Sequence, residues 1–306
     1  MSHIYDMLII GGGPGGYAAA LYAARAGLDT VVLERLSAGG QMALTDQIDN
    51  YPGFELGVDG FTLGLNMQAG AERFGAKTEL ADVYSVRLEG AVKEVHTSEG
   101  IFYARTVVLA TGANPRELEL PGEKELLGRG INYCAACDGM FFRGKTVAVV
   151  GGGNTAAADA LLLSRICEKV ILIHRRDSLR ATKIYHDPLF RAGNIEFRWN
   201  STVSELVYDE KLTGLKLKNV NSGEESQISC DGVFVSIGRN PASWLVKDQL
   251  ELDESGYIVA DETTRTSLPG VFAVGDVRTK AVRQVVTAVG DGAAAVHFAE
   301  EYLASI

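Results

Sequence analysis

Cysteine, tryptophan and basic residues are all scarce in this 306-residue chain. It has four cysteines and two tryptophans, and 39 Asp and Glu outnumber 29 Lys and Arg, for a formal net charge of −10. Four cysteines are too few for a secreted disulfide scaffold, and an acidic chain argues against a nucleic-acid partner. No stretch approaches about 18 uninterrupted apolar residues, and the N-terminus lacks the pattern of a secretion signal. We therefore expect a cytoplasmic protein without a membrane span.

The chain does contain a series of short, continuous apolar runs, and glycines or helix-like segments follow several of them. Its hydrophobic content of 46%, with 22% charged residues, is that of a globular protein. Runs such as 7–10, 31–33, 107–110, 147–150 and 170–173 are typical of parallel strands buried on both faces. The sequence therefore predicts an α/β fold, and its length allows two domains.

An internal repeat divides the chain. In the first copy a strand leads into residues 11–16, Gly-Gly-Gly-Pro-Gly-Gly, then an Ala-rich helix and a strand that ends at Glu34. In the second copy a strand leads into residues 151–156, Gly-Gly-Gly-Asn-Thr-Ala, then a helix and a strand that ends before His174. The spacing from Gly16 to Glu34 equals that from Ala156 to His174. Two βαβ units in one register predict two Rossmann-like, dinucleotide-binding domains.

The ends of the two copies indicate how the domains are connected. Segments 107–112 and 233–238 resemble each other, and each is followed by a proline, Pro115 or Pro241, that marks a plausible crossover. The remaining chain carries no third βαβ unit, so we expect it to complete the first domain. The predicted organisation is a first domain of residues 1–114 and 241–306, split by a second domain inserted at residues 115–240.

Both glycine turns have the pattern that binds a pyrophosphate. The first glycine makes the bend, the second lets the backbone approach the phosphates, and the third lets the helix pack on its strand. A glycine-rich turn that binds nothing is the alternative, but here each turn lies between a strand and a helix and leads to a polar residue. The candidate binding residues are Gly11, Gly13 and Gly16 in the first copy and Gly151, Gly153 and Asn154 in the second.

The residues that end the second strand of each copy distinguish the ligands. Glu34 can accept hydrogen bonds from ribose hydroxyls and would repel a 2′-phosphate, which suits FAD or NAD. The second copy instead reads His174-Arg175-Arg176-Asp177-Ser178-Leu179-Arg180. Guanidinium groups form charge-assisted, often bidentate hydrogen bonds with phosphate. The second site therefore favours NADPH, with a solvated basic turn as the alternative.

A Cys-x-x-Cys pair, Cys134 and Cys137, precedes the second glycine turn. It could be half of a zinc site, a redox-active disulfide or two ordinary cysteines. Zinc normally takes four ligands and no second pair is present, so we predict no metal site. Cysteines at this spacing close a small loop, as reversible thiol chemistry requires. Cys167 and Cys230 stand alone and are expected to be buried thiols.

Asp138 directly follows the cysteine pair and is a candidate acid/base. A carboxyl group partly buried beside a flavin and a thiolate would have a raised pKa and keep a proton available. The alternative is a turn-forming Asp-Gly without a chemical role. Phe141 and Phe142, a few residues on, could belong either to the core or to an exposed apolar patch for a partner protein.

Taken together, these motifs resemble the low-molecular-weight thioredoxin reductases over nearly the whole chain. The motifs that occur in the order of that family are 11–16, Gly39-Gly40-Gln41, Asn50-Tyr51-Pro52-Gly53, Ala110-Thr111-Gly112, 134–139, 151–156, 174–180, Gly275-Asp276 and Arg283-Gln284. Two departures are Ala136, where the family usually has Thr, and Ala157-Ala158-Asp159, where it often has two acidic residues.

The resemblance implies a homodimeric oxidoreductase that takes electrons from NADPH through FAD to Cys134 and Cys137 and on to oxidised thioredoxin. It implies that Asp138 supplies protons, that Arg175, Arg176 and Arg180 hold the 2′-phosphate, and that the other cofactor contacts include Gln41, Asn50, Thr111, Gly112, Asp276 and Gln284. The alternatives are a flavin disulfide reductase that serves another electron donor or disulfide carrier, and a non-catalytic nucleotide sensor. A sensor would not need the cysteine pair.

Overall fold

A computed structural model of the chain describes residues 3–45 and 47–306. The described chain separates into two compact units. One unit contains the residues through Asn114 together with Asn240–Ile306, and the other contains Pro115–Arg239. The second unit is therefore inserted into the first. Short strands at Ala113–Pro115 and Arg239–Pro241 pair with each other where the chain crosses between the units.

The described chain combines α-helices with a larger number of strands, several of which follow one another without a helix between them. The strands are β1 (Ile4–Ile10), β2 (Thr30–Glu34), β3 (Lys77–Leu80), β4 (Val83–Arg87), β5 (Lys93–Thr97), β6 (Gly100–Leu109), β7 (Ala113–Pro115), β8 (Ile131–Asn132), β9 (Thr146–Val150), β10 (Lys169–Ile173), β11 (Ile195–Arg198), β12 (Ser201–Tyr208), β13 (Leu212–Asn219), β14 (Glu225–Ser229), β15 (Gly232–Val235), β16 (Arg239–Pro241) and β17 (Val271–Ala273). The helices are α1 (Pro14–Arg25), α2 (Gly60–Glu72), α3 (Ala135–Asp138), α4 (Asn154–Ser164), α5 (His186–Arg191) and α6 (Val285–Ala304).

The split unit is built on a seven-stranded sheet in the order β3-β2-β1-β6-β5-β4, with β17 also paired to β6. Strands β3, β2, β1, β6 and β17 are parallel, and β5 and β4 extend the sheet in antiparallel pairing. Strand β6 pairs along its first half with β5, which precedes the inserted unit, and along its second half with β17, which follows it. The chain beyond Asn240 therefore supplies a strand to the sheet that the N-terminal residues begin.

Alternate residues of the central strands enter two separate cores, because neighbouring side chains of a strand point to opposite faces. Met7 and Ile9 lie in a core with the helices α1 and α6, whereas Leu8 and Ile10 lie in a core on the opposite face. Both sets are fully or almost fully buried, which explains why the sequence shows a continuous apolar run instead of alternation.

The inserted unit has a five-stranded parallel sheet in the order β11-β10-β9-β15-β8. One face packs against α3 and α4, with Val147 and Val149 in that core. The other face, with Ala148 and Val150, packs against side chains of the antiparallel sheet β12-β13-β14. A helix layer and a sheet layer thus cover the two faces of the parallel strands.

The predicted α/β class, with two Rossmann-like units and one inserted into the other, is confirmed. The first helix begins earlier than the Ala-rich stretch suggests, at Pro14, because the fixed φ of proline suits the first helical position and its missing N–H is not needed there. The antiparallel strands β12–β14 were not predicted, since their exposed faces break up the apolar pattern. Within the described residues, no helix is both long and apolar enough to span a bilayer.

Candidate functional site

The first candidate site lies at the carboxyl ends of four neighbouring parallel strands of the split unit. Strands β1, β2, β6 and β17 end beside one another, and backbone hydrogen bonds continue past their last residues, from Ala110 N to Ile10 O (2.8 Å) and from Val274 N to Leu109 O (2.9 Å). The glycine turn, Glu34, Thr111 with Gly112, and Asp276 all follow these ends. Ligands of open α/β sheets bind in such a crevice.

Glycines are required in the first turn because the backbone is crowded there. Gly11 has φ of +106°, and an added Cβ would lie 2.5 Å from the carbonyl oxygen of Ala110. A Cβ on Gly16 would overlap the carbonyl oxygen of Gly11. Gly13 differs, since nothing lies within 4 Å of the position its Cβ would occupy. It is the N-cap of α1 and provides no side chain to cap the helix. The turn thus leaves open space at the positive end of a helix, which fits a pyrophosphate.

Glu34 is held in place over this turn by two backbone groups. Its Oε2 accepts a hydrogen bond from Gly12 N at 2.6 Å, and its Oε1 accepts one from Leu36 N at 3.0 Å. Each carboxylate oxygen can accept a further bond. The carboxylate is therefore fixed beside the turn with acceptor capacity to spare.

Thr111, Gly112 and Gln41 each contact another part of the split unit. Thr111 Oγ1 donates a hydrogen bond to Ala242 O at 2.8 Å, and Ala242 N donates to Gly112 O at 2.9 Å. Gln41 Nε2 donates to Asn114 Oδ1 at 2.8 Å. These bonds fix the segment after β6 to the returning chain, so the predicted residues lie in one connected loop region.

Asn50, Gln284 and Asp276 lie near the start of α6. Asn50 Nδ2 donates a hydrogen bond to Gln284 Oε1 at 3.0 Å. Gln284 is the N-cap of α6 and forms a reciprocal capping box with Thr287. Asp276 follows Gly275, whose φ of +70° lets the chain turn sharply after β17. The structure therefore brings together Asn50 and Gln284, which are far apart in sequence.

The second candidate site repeats this geometry in the inserted unit. Gly151 has φ of +149°, and an added Cβ would overlap the carbonyl oxygen of Ser236, just as Gly11 abuts Ala110. Gly153 is the N-cap of α4, has no capping side chain and has open space beside its Cα. Asn154, the first residue of α4, accepts a hydrogen bond from Thr182 N at 2.8 Å. The turn again leaves a helix N-terminus open to an anion.

The arginine-rich loop is attached to this second turn. Arg180 N and Ala181 N both donate to the carbonyl oxygen of Gly152, at 2.7 and 3.0 Å. Arg175, Arg176 and Arg180 are exposed, and in the described part of the chain no carboxylate forms an ion pair with them. The loop therefore carries three exposed guanidinium groups and is bonded to the turn that precedes α4, and guanidinium groups of this kind are suited to a phosphate dianion.

His174 is buried beneath that loop. An added Cβ on Gly152 would overlap its ring, so the second residue of this turn has to be glycine. Burial, together with the charges of Arg176 and Arg175, lowers the pKa of His174, which keeps the imidazole neutral near pH 7. Its Nε2 is buried and has no partner among the described residues.

The cysteine pair forms a disulfide at the start of α3, with 5.3 Å between the Cα atoms of Cys134 and Cys137. Cys134 is the N-cap, and its Sγ accepts a hydrogen bond from Cys137 N at 3.2 Å. Ala135, between the cysteines, is buried in the core shared with α4, and Ala136 is exposed. The loop is therefore anchored on one side and open on the other, as reversible exchange with a partner requires.

Asp138 is the last residue of α3, and its backbone N–H donates to Cys134 O at 3.0 Å. It is partly buried and adjacent to Cys137. The two phenylalanines that follow have different environments. Phe142 is buried against Phe234, with 5.4 Å between ring centroids, whereas Phe141 is half exposed. Phe142 therefore belongs to the core, and the exposed apolar side chain beside Phe141 is that of Met140.

Cys167 and Cys230 are buried, free thiols, as predicted. Burial raises the pKa of Cys167 to about 11 and that of Cys230 to about 12, where Asp231 contributes as well. Both therefore stay protonated and unreactive near neutral pH. Among the residues that the structure describes, no three His, Cys, Asp or Glu side chains form a group that could hold a metal ion.

Asp159 is a feature that sequence reasoning did not assign to the site. It lies on α4 and accepts a hydrogen bond from Ser236 Oγ at 2.5 Å, next to the point where Gly151 meets Ser236. Burial raises its pKa, while Ser236 and Arg239 act in the opposite direction. An acidic residue three positions after Ala156, on the buried face of an Ala-rich helix, is the signal that could have identified it.

A family model for pyridine nucleotide-disulphide oxidoreductases matches residues 5–292. The chain belongs to this family. It is 46% identical over its full length to a thioredoxin reductase of Streptomyces clavuligerus, covering 96% of that protein. It is 48% identical, over 98% of its length, to 66% of a bifunctional thioredoxin reductase/thioredoxin of Mycobacterium leprae. A crystal structure of the Streptococcus pyogenes thioredoxin reductase matches with a TM-score of 0.91 and 42% identity, with both chains fully covered.

These findings confirm the expected resemblance to the thioredoxin reductases and the class of enzyme. The chain is an NADPH-dependent flavin disulfide oxidoreductase, and its cofactors are FAD and NADPH. The two glycine turns, each with open space at a helix start, fit two dinucleotides.

Proposed function

We propose that this chain reduces the disulfide of thioredoxin, with electrons that enter as NADPH and leave through Cys134 and Cys137. The main support for this proposal is that the Cys134–Cys137 disulfide lies in the same unit as the second glycine turn and its arginine-rich loop. The names of the full-length relatives support thioredoxin as the substrate. The Mycobacterium leprae relative is consistent with this, because its name joins thioredoxin reductase and thioredoxin in one protein.

We assign FAD to the split unit, for which the predicted bounds are residues 1–114 and 241–306, because the carboxylate of Glu34 lies over its glycine turn and would repel a 2′-phosphate. Gly11, Gly13 and Gly16 would let the pyrophosphate approach the start of α1. Glu34 would accept the ribose hydroxyls of the adenosine half. The remaining contacts proposed for FAD are Gln41, Asn50, Thr111, Gly112, Asp276 and Gln284.

We assign NADPH to the inserted unit, at residues 115–240. Gly151, Gly153 and Asn154 would receive the pyrophosphate at the start of α4. Arg175, Arg176 and Arg180 would bind the 2′-phosphate, because no carboxylate of the described residues forms an ion pair with these arginines. His174, whose ring lies against Gly152 of that turn, is the remaining residue that we propose for the NADPH site.

The proposed reaction balances as NADPH, one proton and the thioredoxin disulfide giving NADP+ and the thioredoxin dithiol. FAD supplies the means of accepting a hydride from NADPH and delivering two electrons to a disulfide. Those electrons break the bond between Cys134 and Cys137. Cys134 then attacks the thioredoxin disulfide, and Cys137 displaces the reduced partner and restores the original disulfide. Asp138 donates a proton to the departing thiolate.

We also propose that the protein is a cytoplasmic homodimer. A stripe of exposed apolar side chains on α2, formed by Phe61, Leu65 and Ala69, repeats every four residues and so lies on one face of the helix. A contiguous apolar face of this kind supports association with a second copy. Light scattering should give twice the chain mass, and Phe61→Glu with Leu65→Glu should reduce it to a monomer. A dithiol enzyme that consumes NADPH suits a reducing compartment.

The direct test uses the purified protein loaded with FAD. NADPH should bleach the visible flavin absorbance at once, NADH should do so far more slowly, and added oxidised thioredoxin should restore the absorbance as it is reduced. Bleaching by NADPH without reduction of thioredoxin would assign the enzyme to another disulfide carrier. Absence of a bound flavin would overturn the proposal.

A further inference from the structure

Asp291, on α6, is the centre of a buried charged cluster in the split unit. Its carboxylate accepts four hydrogen bonds, from Gly275 N (2.8 Å), Arg278 Nε (3.0 Å), Arg278 Nη2 (2.7 Å) and Lys280 Nζ (2.7 Å). The side chains of Asp291 and Arg278 are each 9% exposed, and that of Lys280 is 7% exposed. The hydrogen bonds and charges of Arg278 and Lys280 more than offset burial, so the pKa of Asp291 is lowered and the carboxylate stays ionised.

The cluster pairs two cations with the carboxylate of Asp291. Arg278 and Lys280 both bond to it, and the charge of Asp261 also acts on Arg278. A third cation is adjacent, because Arg283 donates from Nη2 to Arg278 O at 3.3 Å and lies 4.1 Å from the ring centre of Tyr257. In a buried, low-dielectric environment each of these charges acts over longer distances than on the surface.

The cluster also lies between the two turns proposed to hold FAD. Asp291 binds the backbone of Gly275, next to Asp276. The following residue, Gly292, is where α6 crosses α1: an added Cβ there would overlap the carbonyl oxygen of Gly15 and lie 2.7 Å from Ala19 N. Asp291 therefore contacts the turn after β17, and Gly292 contacts α1, the helix that begins at the first glycine turn.

Building on the proposed function, we propose that this cluster sets both the position and the reduction potential of bound FAD. Asp291 acts as a positioning residue that holds the Gly275–Asp276 turn. The positive charges of Arg278 and Lys280 favour the reduced cofactor, because two-electron reduction adds negative charge to it, and the carboxylate of Asp291 acts in the opposite direction. Neither role requires contact with the reacting atoms.

Removing a positive charge and removing a negative charge from the cluster should shift the reduction potential of FAD in opposite directions. Lys280→Met removes one positive charge and leaves the bidentate pair of Arg278 and Asp291 intact, so reduction of FAD should become less favourable. Asp291→Asn instead removes the negative charge, so reduction should become more favourable while FAD is held less tightly. We expect a threefold to tenfold change in the reduction equilibrium in each case, which is about 15–30 mV for a two-electron couple.

The measurement is the midpoint potential of the flavin in the holoenzyme, equilibrated with a reference dye, together with the FAD content of each protein. Lys280→Arg keeps the charge and should restore the wild-type potential. Glu301→Gln is the matched control, because it removes a carboxylate from the same helix in an exposed pair with Arg265. It should change neither quantity.

Shifts of opposite sign support the proposal, since a purely structural defect would not reverse with the sign of the charge removed. If Asp291→Asn folds but loses FAD, the positioning role is supported and Lys280→Met carries the test of the potential. An unchanged potential in Lys280→Met, or an equal shift in Lys280→Arg, would overturn the electrostatic role. The wild-type protein separately tests the proposed function, because failure to bind flavin or to reduce thioredoxin would appear there before any variant is compared.

Discussion

Arg175 and Arg176 should set the preference for NADPH over NADH. NADPH differs from NADH only by the 2′-phosphate, and these two exposed guanidinium groups follow β10, where the adenosine ribose is expected. Replacing both with alanine removes the donors that recognise the phosphate. The backbone that carries them should remain in place, because it is held by bonds such as that from Asn200 N to Arg176 O.

The size of the effect follows from the exposure of the two side chains. A hydrogen bond to a charged group contributes roughly 1.5–3 kcal/mol. Because water and salt screen exposed groups, we take the lower bound for each arginine. The pair then contributes about 3 kcal/mol, which is about two decades in kcat/KM for NADPH. The value for NADH should change by no more than about twofold.

The assay is steady-state reduction of thioredoxin with each nucleotide, at low and high ionic strength. The wild-type preference for NADPH should fall as salt rises, and the double variant should have little preference left to lose. Arg191→Ala is the control, because Arg191 is an equally exposed arginine of the same unit that pairs with Asp187 on α5. If the NADPH to NADH ratio of the double variant equals that of the wild type, the second site has been assigned incorrectly.

Five further substitutions, at the acid/base, the cysteine pair and the first glycine turn, test other parts of the site. Asp138→Asn keeps the shape but not the transferable proton, so NADPH should still bleach the flavin while thioredoxin reduction slows by about 10²–10⁴-fold; normal turnover would make Asp138 a turn residue. Cys134→Ser and Cys137→Ser should each abolish thioredoxin turnover, and only Cys137→Ser should trap a mixed disulfide with thioredoxin on a non-reducing gel; trapping by Cys134→Ser instead would reverse their roles. Gly13→Ala has room for its Cβ and should fold normally but bind FAD weakly, whereas Gly16→Ala, which would overlap Gly11 O, should lower the melting temperature itself; equal thermal stability of the two variants would contradict this.

Much of the fold was predictable because the repeat is local in sequence. Each βαβ unit occupies a short stretch whose continuous apolar runs and glycine turns are readable without knowing what packs against them. The insertion of the second unit could be predicted because the sequence after Pro241 shows no third βαβ unit. The antiparallel layer β12–β14 was not predictable in the same way, because only one face of it is buried and its pairing partners are set by the rest of the inserted unit.

The candidate site was predictable only where a motif carries its own chemistry. The cysteine pair and the arginine loop could be recognised from neighbouring residues alone. The bond from Asn50 to Gln284 joins residues that are 234 positions apart, and nothing in either segment predicts it. Asp291 is similar: in sequence it is one acidic residue in a helix, and its four donors are identified only when α6 packs beside the Gly275 turn.

The two units show how one backbone frame can separate two dinucleotides. Gly11 and Gly151 meet the carbonyl oxygens of Ala110 and Ser236 in the same way, so the crowding that requires glycine is common to both. The shared backbone geometry of the two turns therefore suits a dinucleotide, but it does not distinguish FAD from NADPH. We expect that choice to lie at the end of the next strand. Arg35 and Arg175 occupy equivalent positions, but Glu34 lies where the second unit has His174, and Leu36 lies where it has Arg176. The carboxylate of Glu34 should repel a 2′-phosphate, whereas the additional guanidinium groups of Arg176 and Arg180 should attract one, so that NADPH is excluded from the first site.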